Sequence, residues 1–209
     1  MSETPEPVTP IRPTSAGTPD TPTSAGMPEA TKTASVRRPH RPLAALWTLA
    51  VAVVAVDQLT KVWAVAALSD GHRVRVLGDW LTLTLLRNPG AAFSFATGQT
   101  WIFALIAIIV TVVVIRISRR LGSMWWAVAL GLVLGGAVGN LIDRLVRAPG
   151  VLRGYVVDFI DYGGWFVGNV ADIAIVGAAV IIMVLSVRGR ELDGSRAGEG
   201  RGRHAETDA

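Results

Sequence analysis

The chain has 209 residues, of which 51% are hydrophobic and 17% charged, with a formal net charge of +4. A mean hydropathy of +0.45 is too apolar for an ordinary soluble domain of this length. The absence of cysteine excludes thiol catalysis, disulfide frameworks and cysteine metal sites, and no HExxH, GxGxxG, GxxxxGK[ST] or GxSxG motif is present.

In chain order, residues 1–40 come first and hold eight of the eleven prolines among Ser, Thr, Gly and Ala. Such a segment buries too little apolar surface to fold, so it is expected to be a disordered tail. No apolar run follows a basic start near Met1, so it is not read as a secretory signal peptide. Four apolar segments follow, at about Leu43–Leu68, Trp101–Ile117, Met124–Leu141 and Val170–Val187. Each approaches the roughly 20 residues that cross a bilayer core. None shows the polar face that a helix of a soluble bundle carries. Four membrane-spanning helices are therefore expected over 41–188, with a second disordered tail over 189–209. Between the first two spans, RVRV (73–76) and the alternating LTLTL (81–85) predict a small strand-bearing element. The expected fold class is thus an all-α membrane protein with a small extracytoplasmic β element between helices 1 and 2.

Orientation follows from the arginines. Arg37, Arg38 and Arg41 precede the first span, Arg116, Arg119 and Arg120 fill the short connection between spans two and three, and Arg188 and Arg190 follow the fourth. With four spans these positions share one side, which the positive-inside rule assigns to the cytoplasm. Both termini are then cytoplasmic. The opposing loops also carry arginines, so the short second connection weighs most. The arginines flank apolar segments instead of forming a stripe, so the isoelectric point near 10.3 implies membrane topology and no nucleic-acid partner. Trp80, Trp101 and Trp165 fit interfacial anchors, and Gly131, Gly135 and Gly139 form a smooth stripe suited to close helix packing.

This topology gathers polar residues at one membrane level. Asp57 and Lys61 fall toward the outer end of span one, and Asn88 shortly before span two. Asn140, Asp143 and Arg144 fall at the outer end of span three, and Asn169 and Asp172 at the outer start of span four. Ionisable groups in or near the bilayer are costly and usually functional. Two neighbouring shielded carboxylates share a proton, which leaves one as base and one as acid for attack of water on a peptide carbonyl. That chemistry needs no metal or cofactor. Asp172 is the leading member on position alone, with Asp143, Asp158 or Asp161 as its partner. A small ion-coupled transporter is the alternative, because it too places Asp in its spans.

DQLTK (57–61), NPGAAF (88–93), GNLIDR (139–144), VVDF (156–159) and NVAD (169–172) occur in the order found in bacterial lipoprotein signal peptidases, or signal peptidase II, which the chain resembles over about 43–187. The resemblance implies an aspartic endopeptidase of the cell membrane with its site near the extracytoplasmic face. Its substrates would be prolipoproteins, cut just before a diacylglyceryl-modified cysteine, with membrane lipid around a monomer. By the motifs it implies Asp158 and Asp172 as the catalytic dyad, with Asn88, Asn140 and Asn169 lining the site. Asp143 and Arg144 would belong to the supporting network. Asp57 and Lys61, four apart on a helix, can form an ion pair. Gly168, where an aromatic residue usually precedes the asparagine, and Ile173, where a small or hydroxyl residue is common, depart from the pattern.

Overall fold

The computed structural model describes residues 40–90 and 99–196. In them the chain runs α1 (His40–Leu68), β1 (Val74–Leu77), β2 (Leu81–Asn88), α2 (Thr100–Ser118), α3 (Met124–Val146), β3 (Val156–Asp161), β4 (Val167–Gly168) and α4 (Val170–Val187). Residues 1–39 of the tail expected over 1–40, the Ala91–Phe93 part of NPGAAF, and residues 197–209 lie outside the described residues, and His40, the last residue of that expected tail, begins α1.

All four helices are long and apolar enough to cross a membrane. In α2 most residues are Ile, Val or Ala. The β-branched ones are mediocre helix formers in water, but hydrocarbon offers backbone groups no partner except one another, so a helix is the way such a segment spans. Pro42 falls in the first turn of α1, where its missing N–H costs nothing. At the start of α4, Asn169 accepts from the Asp172 N–H while the Asp172 carboxylate accepts from the Asn169 N–H, a reciprocal capping box.

Helix α3 is the central one: 50% of its span is buried, against 17–22% in the other three. It exceeds the expected Met124–Leu141 by five residues, so Asp143 and Arg144 are helical residues inside the span. Its glycine stripe faces α1. A Cβ on Gly131 would lie 2.9 Å from the Leu46 carbonyl, and one on Gly135 would lie 2.6 Å from Val53 Cβ and 2.9 Å from the Ala50 carbonyl. Gly136 faces α4 instead, where a Cβ would sit 2.6 Å from the Ala171 carbonyl. Small residues thus let α3 seat between its neighbours. Gly135→Ala is expected to destabilise the protein by about 1–3 kcal/mol, because backbone must move to admit the methyl. Gly177→Ala meets nothing within 4 Å and should be neutral or stabilising. Thermal unfolding in detergent would check the contrast.

Beyond one end of the bundle lies a four-stranded antiparallel sheet in the order β1-β2-β3-β4. The expected element between helices 1 and 2 supplies β1 and β2. The sheet is larger than foreseen because the α3–α4 connection supplies β3 and β4, and Asp158 stands on strand β3. The β2–β3 register pairs Leu86 with Asp158, Asn88 with Val156 and Thr82 with Asp161. Val157 and Phe159 of β3 pack on Ala64 and Leu68 of α1, fixing the sheet to the bundle.

A correction concerns the C-terminal side. The disordered tail expected from Gly189 does not begin there, because residues 189–196 fold back against the α2–α3 connection. The Leu192 carbonyl accepts from the Gly122 N–H (2.9 Å) and the Ser123 N–H (3.1 Å), and Trp126 Nε1 donates to the Arg190 carbonyl at 3.0 Å. Ser123, at the N-cap of α3, makes no side-chain cap bond, so this carbonyl satisfies donors that the helix start leaves open. A side chain at Gly122 would collide with the Asp193 carbonyl.

Candidate active site

The site forms where α1, α3, α4 and the sheet meet. Asp158 enters from β3 and Asp172 from the first turn of α4. One residue, Asn169, holds both. Its Nδ2 donates to Asp158 Oδ1 at 2.6 Å, and its backbone N–H donates to Asp172 Oδ2 at 3.0 Å. The other two carboxylate oxygens are also held: Asn88 Nδ2 donates to Asp158 Oδ2 at 2.7 Å, and Asn140 Nδ2 donates to Asp172 Oδ1 at 3.0 Å. Each of the four oxygens therefore accepts one N–H and keeps further lone-pair capacity for water or a peptide.

The asparagines are oriented by what their own oxygens accept. Asn88 Oδ1 takes the Gly90 N–H, Asn169 Oδ1 takes the Asp172 N–H, and Asn140 Oδ1 takes Lys61 Nζ at 2.9 Å. Every amide is thereby turned with its NH₂ toward a carboxylate.

Behind the asparagines lies a buried ionic network. Lys61 Nζ is 2.9 Å from Asp57 Oδ2 and 2.9 Å from Asp143 Oδ2, and all three side chains are fully buried. Arg147 Nε adds a contact to Asp143 Oδ1 at 2.7 Å. Asp57 Oδ1 accepts the Ala171 N–H, and Asp143 Oδ2 accepts the Val157 N–H. The network thus ties α1 and α3 to the start of α4 and to β3, the two elements that carry Asp172 and Asp158. Gly139 leaves room for it, since a Cβ there would stand 2.6 Å from Asp57 Oδ2.

Burial pushes the Asp158 carboxyl up to about 6, against the opposing pull of the Asn88 and Asn169 hydrogen bonds. The nearby Asp172 charge pushes in the same upward direction. Among the described residues, no three His, Asp or Glu side chains gather as metal ligands.

Of the residues singled out in the sequence, Asp158, Asp172, Asn88, Asn140 and Asn169 come together, with Asp57, Lys61 and Asp143 directly behind. Arg144 stands beside them; its Nη1 donates to the Asn140 carbonyl, and its guanidinium lies 5.6 Å over the Phe103 ring. Asp161 faces away, accepting from Thr82 Oγ1 and the Gly164 N–H. At Gly168, a Cβ would meet the Phe166 ring at 2.6 Å and Asp172 Oδ2 at 3.1 Å, so the Phe166 ring occupies that space. Ile173 is half-exposed. Sequence reasoning gave no role to Arg147, Phe166 or Gln58, whose Nε2 donates to Asp57 Oδ2 and the Gly139 carbonyl. Only Gln58, inside DQLTK, carried a readable signal, as a polar residue within an apolar span.

Four spans, a small sheet fixed to one end and a buried polar site between them define a membrane-embedded enzyme. A family model described as signal peptidase (SPase) II matches residues 49–188. The lipoprotein signal peptidase of Rhodococcus jostii is 53% identical over 159 residues, covering 76% of this chain and 80% of its own. That of Mycobacterium avium is 53% identical over 161 residues, covering 77% and 88%. A bacterial membrane enzyme solved by the in meso method at 1.9 Å shares 29% identity at a TM-score of 0.62, over 70% of this chain and 94% of that one. Another, solved at 2.3 Å, gives 30% and 0.59 over 69% and 88%. The chain belongs to the signal peptidase II family.

Proposed function

We propose that this membrane peptidase removes signal peptides from diacylglyceryl-modified prolipoproteins, cleaving just before the lipidated cysteine, with Asp158 and Asp172 as its catalytic pair. The observation that carries this reading is Asn169, which bonds both carboxylates at once where the bundle meets the sheet. The peptidase domain is taken as 41–188, a monomer surrounded by lipid, with cytoplasmic termini and the sheet on the extracytoplasmic side. There a lipid-anchored substrate presents its scissile bond at the membrane boundary.

In this mechanism the pair shares one proton, held on the Asp158 side. Asp172 takes a proton from a water as its oxygen attacks the scissile carbonyl carbon, and Asp158 protonates the carbonyl oxygen. Collapse of the resulting diol breaks the C–N bond as Asp172 passes the proton taken from water to the departing amine and Asp158 takes one back from a diol hydroxyl. Asn88, Asn140 and Asn169 keep the carboxylates in register, while Lys61, Asp57 and Asp143 hold the asparagines and the helix start. Arg144 belongs to this support through the Asn140 carbonyl.

The test is incubation of the purified protein in detergent with a diacylglyceryl-modified prolipoprotein, with the product read by mass spectrometry. A fragment beginning at the lipidated cysteine is expected. No cleavage, together with proton-coupled flux in proteoliposomes, would establish the transporter alternative.

Loss of the Asp158 proton as pH rises through about 6 should give kcat/KM a falling alkaline limb for the pair. Asn88→Leu removes a donor that favours the ionised form. The limb should therefore move to higher pH, with reduced activity throughout. A limb that stayed in place or moved to lower pH would contradict the assignment.

A further inference from the structure

At the end of the bundle remote from the dyad, the last turns of α4 and the first turn of α3 border a cavity of about 240 Å³. Its walls are apolar, with Trp125 from α3 facing Val180, Ile181 and Val184 from α4, and Arg188 and Arg190 line it as well. The turn that follows α4 explains why both arginines reach one cavity. Gly189 has a φ of 61°, a left-handed conformation that suits glycine, and it reverses the chain between them. Arg190 is then held on two sides. Its N–H donates to the Leu185 carbonyl at 2.9 Å, and its carbonyl accepts from Trp126 Nε1 at 3.0 Å.

We propose that this cavity binds one anionic phospholipid, with its phosphate on Arg188 and Arg190 and part of an acyl chain against Trp125, Val180 and Val184. Charge complementarity selects the headgroup. Both arginines are exposed, and among the described residues neither guanidinium takes part in an ion pair or a side-chain hydrogen bond. The acids nearest in sequence, Glu191 and Asp193, line the neighbouring cavity with Arg120, which Arg190 also borders, and both lie beside Ser195 Oγ, at 3.5 and 2.7 Å. A guanidinium matches phosphate oxygens in a bidentate fork, and a basic pocket between spans suits a lipid headgroup. The helix ends do not oppose an anion here. The Val184, Leu185 and Ser186 carbonyls that close α4 already accept the Arg188, Arg190 and Gly189 N–H groups, while α3 turns its positive end to the same place at Trp125. The walls select the rest of the ligand. Trp125 is 60% and Val180 51% exposed, apolar surface that a free phosphate leaves uncovered and an acyl chain covers.

The site stands a helix length from Asp172, which lies in the first turn of α4 while Arg188 caps its end, so the proposal does not rest on the peptidase activity. Its occupant would touch α3 through Trp125 and α4 through both arginines. The lipid thereby fastens the same two helix ends that the Leu192 and Trp126 hydrogen bonds join through the backbone.

The test is native mass spectrometry of the full chain in detergent, incubated with phosphatidylglycerol or with phosphatidylcholine of the same acyl chains. One phosphatidylglycerol is expected to be retained several-fold more than phosphatidylcholine, and Arg188→Gln/Arg190→Gln should abolish that preference. Arg41→Gln/Arg116→Gln removes the same charge from residues that do not line the cavity, and should leave the preference intact. Equal loss in the two variants, or equal retention of the two lipids by the wild type, would overturn the proposal in favour of diffuse surface charge. Val184→Trp fills the cavity and keeps both arginines, and should weaken retention several-fold; unchanged retention would show that no chain is seated there. Thermal unfolding of each variant confirms its fold. In the same assay, a rise in Tm with inorganic phosphate as large as that with phosphatidylglycerol would make a free anion the occupant and overturn the lipid.

Discussion

Asp158→Asn and Asp172→Asn proteins are each expected to fold and to cleave lipidated substrate about 10²–10⁴-fold more slowly than the wild type. The amide keeps the size of the carboxyl, so packing around β3 and the start of α4 is retained. What it loses differs between the two positions. At 172 there is no longer a base to accept the proton of water. At 158 there is no acidic proton to deliver to the carbonyl oxygen. The double variant should be scarcely slower than either single one, because the two groups act as a unit. Asp161→Asn is the control: its oxygens are turned to Thr82 and Gly164, so activity should remain largely intact. Cleavage by the purified variants, alongside a thermal unfolding curve for each, checks all four. Full activity in either single variant would remove that residue from the chemistry.

Lys61→Met should cost the fold more than any other single change, about 3–5 kcal/mol. The methionine fills the volume but leaves Asp57 and Asp143 buried without their shared cation. Asn140 also loses the donor that turns its amide toward Asp172, so surviving folded protein should cleave poorly. Asp143 keeps Arg147 at 2.7 Å, so the diagnostic is the pairing with Asp57→Asn. If the penalty is mainly an uncompensated buried charge, the double variant should be more stable than Lys61→Met alone, although it contains one substitution more. A Lys61→Met protein that unfolds at the wild-type temperature would show that the network carries little of the stability.

The four spans were legible because each is a long apolar run bounded by polar or basic residues, and α4 matches its expected limits because Asn169 starts it and Arg188 follows it. Helix α3 was read too short for a physical reason. Asn140, Asp143 and Arg144 resemble the end of an apolar run, and only their partners elsewhere make them tolerable inside a helix. Strand β3 was hidden for the converse reason. Val156–Phe159 is buried throughout, so it lacks the alternation that betrays a half-exposed strand. The two-residue β4 has no pattern to read. The folded 189–196 stretch rests on backbone carbonyls, which no side-chain pattern encodes. At the site, position along the spans gathered the polar residues at one end of the bundle but left the partner of Asp172 open. The family motifs named Asp158, and the amides that would hold the pair also came from that resemblance.

The ionic network has a consequence for how the chain enters the bilayer. Asp57 pairs with Lys61 within α1, and Asp143 pairs with Arg147 at the C-cap of α3, each four residues apart. Each span therefore brings its counterion with it and can be threaded into lipid as a nearly neutral unit. The Lys61–Asp143 contact forms afterwards, when two already inserted helices meet. Assembly then joins prepaid pairs, and neither Asp57 nor Asp143 has to wait in hydrocarbon for a partner still to be synthesised.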